Sequence, residues 1–241
     1  MQRIETEART PAPIAPPLAS LGHTAALVGV MLAVAITGTL LQQGGPSQAT
    51  FGTGAGAAES RIYTRYLPLL LVNGLLVLYV ARLFRPRNVL PQLIGRSVHG
   101  VTDVLVDLFY ASLAFTLIVA LETLTQPLFA GQNAALSALL PSTEAERLTW
   151  LLVASSVGFC EEVVYRGYLL VQLSAFTRSA RLGLLLQAAL FGLAHLEQGA
   201  GAALRSGVYG LIFAVLARHR SSLLPGIACH IGIDLAGGHL R

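Results

Sequence analysis

Six ionisable side chains lie within stretches of sequence that are otherwise apolar: Glu161, Glu162 and Arg166 in one stretch, His195 in a second, His230 and Asp234 in a third. A charge at mid-bilayer depth costs roughly 3 kcal/mol on insertion scales, so such groups face a bundle interior and mark a site. Their spacing is informative. Glu162 and Arg166 are four residues apart, with the acid on the N-terminal side, and share a helical face as an ion pair. Glu161 lies about 100° round the same helix and is left out of that pair. Phe191 and His195 repeat the four-residue spacing, so the ring walls the imidazole from lipid. His230 and Asp234 repeat it again, and a carboxylate there can orient an imidazole and hold its proton.

A carboxylate near two imidazoles suits amide hydrolysis. The carboxylate takes a proton from water, and the imidazoles either hold a metal or donate to the oxyanion. Glu161, His195 and His230 supply three potential ligands, the usual protein count for catalytic zinc or a similar divalent metal with one open position. A ligand is a poorer free base, so a metal-bound water and a Glu/His-activated water both stay open. Other hydrolase signatures are missing. No H-E-x-x-H occurs, since His195 is followed by Leu-Glu-Gln, and there is no G-x-S-x-G, G-x-G-D, P-loop or dinucleotide fingerprint.

The elements that must position these residues follow from composition. The chain has 241 residues, 54% hydrophobic and only 12% charged, with a mean hydropathy of +0.65. Soluble domains carry about 25% charge, and disorder requires the opposite composition. Two cysteines, Cys160 and Cys229, make neither a disulfide framework nor a metal spacing and read as small apolar fillers. The chain reads as an all-α, polytopic transmembrane bundle of about seven to eight helices. Residues 1–24 form a disordered tail broken by Pro11, Pro13, Pro16 and Pro17. Residues 25–241 form one transmembrane domain, with a retained first helix at 25–41. Further spans are expected at 67–84, 103–121, 148–173, 182–196, 204–217 and 222–237, with a Gly-rich loop at 42–60. Gly183, Gly192, Gly207 and Gly210 are expected to let helices approach closely.

All sixteen basic residues are Arg, and the net charge is +4. With the N-terminus inside, segments 85–102, 174–181 and 218–221 carry seven Arg and no acid. The outer segments carry three Arg against Glu59, Glu122, Glu144, Glu146 and Glu197. The positive-inside rule therefore puts the N-terminus in the cytosol. The basicity reflects topology, and nucleic acid is not an expected partner. Measured from the inner ends of their spans, Glu161, His195 and His230 lie at about 18, 20 and 12 Å, at ~1.5 Å rise per residue. Three helices thus bring polar groups to similar depth. Asp103 and Asp107 read as solvated helix-end residues, and His23, His99, His219 and His239 as unremarkable.

Three motifs follow in order on the late spans: Glu161-Glu162-Val-Val-Tyr-Arg166, Phe191-Gly-Leu-Ala-His195 and His230-Ile-Gly-Ile-Asp234. They resemble the motifs of the CAAX protease and bacteriocin-processing (CPBP) family of intramembrane endopeptidases, over about residues 148–237. The resemblance implies Glu161 as the water-activating residue and His195 as its partner at the water or metal. It implies His230 and Asp234 as metal or oxyanion support, with Glu162 and Arg166 as a structural pair behind them. Position 234 departs from the prenyl endopeptidase branch, which has Asn; an ionised Asp cannot donate, which favours orienting the imidazole. The resulting expectation is a plasma-membrane endopeptidase opening toward the cytosol and acting on a membrane-associated or CAAX-like peptide. A non-catalytic membrane scaffold or immunity protein, and a proton relay in a transporter, are the alternatives. Substrate identity and oligomeric state are not readable from the sequence.

Overall fold

Apolar runs too long and too uniformly hydrophobic for a soluble core become helices throughout the computed structural model, which describes residues 14–44, 61–84, 94–95, 100–129 and 139–239. Among the described residues seven helices follow in order. They are α1 (Leu21–Gly44), α2 (Leu67–Phe84, entered through a π-helical turn Ile62–Tyr66), α3 (Val101–Thr125), α4 (Glu144–Thr177), α5 (Ala180–Ala194), α6 (Ala200–Arg220) and α7 (Leu224–His239). Among the described residues there is no strand, only one antiparallel bridge between Gly95 and Ser222. The all-α bundle expected from the sequence is the observed architecture. Five of its elements are long and apolar enough to cross a membrane: Leu21–Leu40, Ile62–Leu83, Val101–Phe129, Glu144–Thr177 and Ala200–Arg220. The chain is an integral membrane protein. Residues 1–13 of the expected tail, most of the Gly-rich loop, and Arg85, Arg87, Arg96 and His99 lie outside the described residues.

Boundaries moved where capping and turns decide them. α1 starts at Leu21, four residues before the expected 25 and four after Pro17. α4 extends past both ends of 148–173. Its start is set by a capping box: the Glu146 N–H donates to Thr143 Oγ1 (3.3 Å) and the Thr143 N–H to Glu146 Oε2 (3.0 Å). Its end is a left-handed Arg178 at φ 52°. α5 stops at Ala194, so His195 caps the helix rather than lying within it.

Burial separates two groups of helices. Only 22%, 17% and 22% of the apolar windows of α1, α2 and α3 are buried, against 50% for α4 and 44% for α6. The first three therefore present much of their surface to lipid, with Leu71, Leu75, Leu105 and Phe109 among the exposed apolar residues, and α4 runs through the centre. The main cluster joins Val163, Val164, Tyr165, Tyr168 and Leu169 of α4 to Leu27, Val80, Phe191, Ala217 and Leu223. A second joins Ala111, Ala114 and Ile118 of α3 to Phe213, Leu216 and Cys229. Of the expected small-residue contacts, a methyl on Gly192 would stand 2.6 Å from Ala203 O and one on Gly210 3.0 Å from Ala188 Cα, and one on Gly183 would overlap Ser174. At Gly207 it would meet nothing closer than 3.7 Å, so close approach does not depend on that glycine.

Ion pairs tie the ends of the bundle. At one end Arg61 Nε meets Glu146 Oε1 at 2.8 Å, and Tyr66 Oη donates to Leu139 O. At the other, Arg220 Nε donates to Asp107 Oδ1 at 2.8 Å, and Asp107 is 8% exposed. The reading of Asp107 as a solvated end is thereby corrected: the start of α3 packs on the end of α6, and the pairing with Arg220 makes its burial tolerable. Arg205, overlooked at the start of the sixth span, pairs with Glu122 at 2.9 Å and lies over Phe129.

Candidate active site

The site is built on an irregular stretch of α4. From Glu162 to Leu169 the backbone takes π-helical hydrogen bonds, with the Leu170 N–H donating to Tyr165 O, and all eight residues are buried. π turns inside α-helices recur at functional sites because they re-aim side chains. Here the stretch begins directly after Glu161, midway along α4. α7 reaches it closely because position 158 is glycine: a Cβ there would stand 2.8 Å from Ile231 N. On the far side of the same approach, Trp150 Nε1–H donates to Asp234 O at 2.9 Å, fixing the register of α7 on α4.

His230 is the junction. Its Nδ1–H donates to Glu162 Oε1 at 3.0 Å, which leaves Nε2 facing Glu161 Oε2 at 3.7 Å and Asp234 Oδ2 at 3.9 Å. Those two separations exceed a direct hydrogen bond, but atoms so placed can share one bridging water. Glu161 Oε2 is buried and has no hydrogen-bond partner. Glu162 Oε1 also accepts from Arg166 Nη1 at 2.7 Å, so the expected i, i+4 pair forms, both side chains fully buried. The guanidinium is packed between rings, 4.2 Å from the Phe191 centroid and 4.9 Å from that of Phe213. Phe213 stacks on His230 at 5.1 Å and 13°, and Phe191 meets the same imidazole edge-on at 5.9 Å. Cation–π contact and ring packing thus hold the acid–base cluster in an aromatic box.

His195 sits at the rim of this box. Its Nδ1–H donates to Phe191 O at 2.8 Å, one of the carbonyls left over where α5 ends, and the neutral ring then presents Nε2 as an acceptor. Its ring lies 4.6 Å from that of Phe191. The structure therefore brings Glu161, Glu162, Arg166, Phe191, His230 and Asp234 into one cluster, with His195 touching it through Phe191. No hydrogen bond or ion pair joins His195 to Glu161. Among the described residues no group of three or more His, Cys, Asp or Glu is placed to hold a metal ion. The Phe191 ring lies against both imidazoles, and each Nδ1 is committed, to Glu162 and to Phe191 O, which leaves Nε2 of each as the atom that could take a water or a metal.

Residues 143–236 match the family model for Rce1-like type II CAAX prenyl endopeptidases. The resemblance read from the three motifs is borne out over that stretch, which starts at the capping threonine of α4 and ends two residues beyond Asp234. No curated protein and no solved structure matches the chain. The Rce1-like stretch contains every residue of the cluster, while α1–α3 lie before it.

Three contributors were not read from the sequence. Phe213 carried only its helical spacing from Tyr209 as a signal. Gly158 showed no pattern at all. Glu197 was assigned to an outer loop, yet the short 3-10 turn Leu196–Gln198 tucks it against α1. Burial and the charge of Glu161 both raise the Glu197 carboxyl above the usual carboxylate range, and Arg65 opposes that rise.

Proposed function

We propose that the chain is an intramembrane endopeptidase that hydrolyses a peptide bond of a membrane-associated, CAAX-like peptide. Glu161 is the general base. The observation that carries this reading is the buried, unpartnered Glu161 Oε2 3.7 Å from His230 Nε2. A water held there loses its proton to Glu161 as its oxygen attacks the peptide carbonyl. Glu162, itself held by Arg166, fixes the His230 tautomer through Nδ1. His230 and His195, each with its Nδ1–H already donated, present Nε2 lone pairs that hold the attacking water, and Glu161 passes the proton it has taken to the leaving amine. The Rce1-like match supports the substrate class, and the aromatic box supports the exclusion of bulk water. The reading also places the protein in the cell membrane with its N-terminus and site opening on the cytosolic side, supported by the Arg distribution.

The test uses the purified full-length chain in liposomes with prenylated and unprenylated CAAX-like peptides. Glu161→Gln is expected to lower kcat at least 10²-fold, the lower end for loss of a general base, and His195→Ala to impair it as well. Undiminished cleavage by Glu161→Gln would sink the reading. Chelator separates the two forms of this reading: cleavage that persists points to water activated by Glu161 and the imidazoles alone, and cleavage lost together with a stoichiometric metal points to a metal-bound water.

A further inference from the structure

The turn that follows His195 does not hang free in the outer loop; it is seated on α1. Residues Leu196–Gln198 pack against that helix. At the contact, a methyl on Gly38 would overlap the Glu197 carboxylate and stand 3.4 Å from its Cβ and Cδ. Gly38 thus forms a notch in α1, and the notch is filled by one carboxylate. That carboxylate also feels the charges of Glu161 and of Arg65 in the α2 entry turn. Gly199, at φ +104°, closes the turn and starts α6. The position of the His195 ring is therefore fixed from two directions: by Phe191 O within α5, and by the seat of Glu197 on α1.

Resting on the hydrolase reading above, we propose that Glu197 is a positioning residue. Its carboxylate, seated in the Gly38 notch of α1 within the field of Arg65, holds the His195 turn in register with Glu161. The N-terminal helix, which lies outside the Rce1-like stretch, thereby becomes part of the apparatus that aligns the site. Glu197 touches neither the substrate nor the reacting water; it acts only through the turn.

The experiment uses the full-length protein in nanodiscs and four variants: Gly38→Ala, Glu197→Ala, the double variant, and Gly29→Ala as a control. Gly29 is on the same helix, and a methyl there meets nothing within 4 Å. Two readouts are taken. The first is the set of His195 ring resonances, assigned by their loss in His195→Ala. The second is kcat and KM determined separately. Gly38→Ala and Glu197→Ala are each expected to shift the His195 resonances and lower kcat by about ten- to a hundredfold, as for a catalytic group displaced by about 1 Å, with KM changed less than about twofold. The double variant, in which the added methyl meets no carboxylate, is expected to be no worse than Glu197→Ala alone, and Gly29→Ala to match the wild type. Wild-type ring resonances in both single variants, or losses that multiply in the double variant, would overturn the proposal. If the wild type hydrolyses nothing, the enzymatic reading fails and the resonances alone decide the seat of Glu197.

Discussion

Arg166 shares Glu162 with His230 and lies between two phenyl rings, so its removal affects three partners at once. Truncation leaves a fully buried carboxylate without its cation, a change that costs about 3–5 kcal/mol. Arg166→Ala is expected to lower stability by that amount in denaturing-detergent titrations. Arg166→Lys is expected not to restore it, because a point-like ammonium cannot replace the planar stack on Phe191 and Phe213. Phe213, 1% exposed, is the matching test from the other side. Phe213→Ala is expected to cost about 3–5 kcal/mol and to reduce cleavage in proportion to the lost order of His230, read as broadening of its ring resonances. The Glu162–Arg166 pair was legible in the sequence because its members are four apart on one helix. The Phe213–His230 stack was not, because only the packing of α6 on α7 brings those rings parallel.

At the scale of elements, the decisive contact is α4 on α7. Gly158 permits it, and a methyl there must push Ile231, the neighbour of His230, outward. Gly158→Ala is expected to destabilise by about 1–3 kcal/mol, as overpacking does, and to lower kcat more than the truncation Cys160→Ala in the same helix. Equal kinetic effects of the two would remove the special role of this approach. The start of α4 is set by Thr143, and Thr143→Ala is expected to cost about 0.5–2 kcal/mol in thermal unfolding while leaving KM unchanged. The π stretch from Glu162 could not be read in advance. Its residues are apolar on all sides of the motif, so no periodicity distinguishes i+5 from i+4 bonding. Only burial of every side chain by surrounding helices makes the wider winding tolerable.

The whole molecule is held from the N-terminus inward. Gln172, fully buried on α4, accepts the Leu18 and Ala19 N–H groups and donates to Ala19 O and Thr24 Oγ1. This clasps the entry to α1 against the central helix, and Gln172→Ala is expected to expose the segment before Leu21 to limited proteolysis in the folded protein. Orientation can be tested in a background with Cys160 and Cys229 replaced by Ser. Ser221→Cys is expected to react with a membrane-impermeant thiol reagent only from the cytosolic side, and Glu144→Cys only from the opposite side. The reverse pattern would overturn the topology. Composition and the run of apolar residues by themselves determined a membrane helix bundle, because in lipid every backbone N–H and C=O must be paired internally, and apolar runs of about 20 residues do so as helices. Three short motifs likewise identified nearly all of the acid–base cluster, since i, i+4 spacing is a local property of a helix. Tertiary structure alone decided which polar groups meet. It gave Glu162 rather than Asp234 the closest bond to His230, closed the Phe191 ring against both imidazoles, and seated Glu197 on α1. Those outcomes depend on where separate helices cross, and crossing points are fixed by small residues and ring packing contributed from several helices at once.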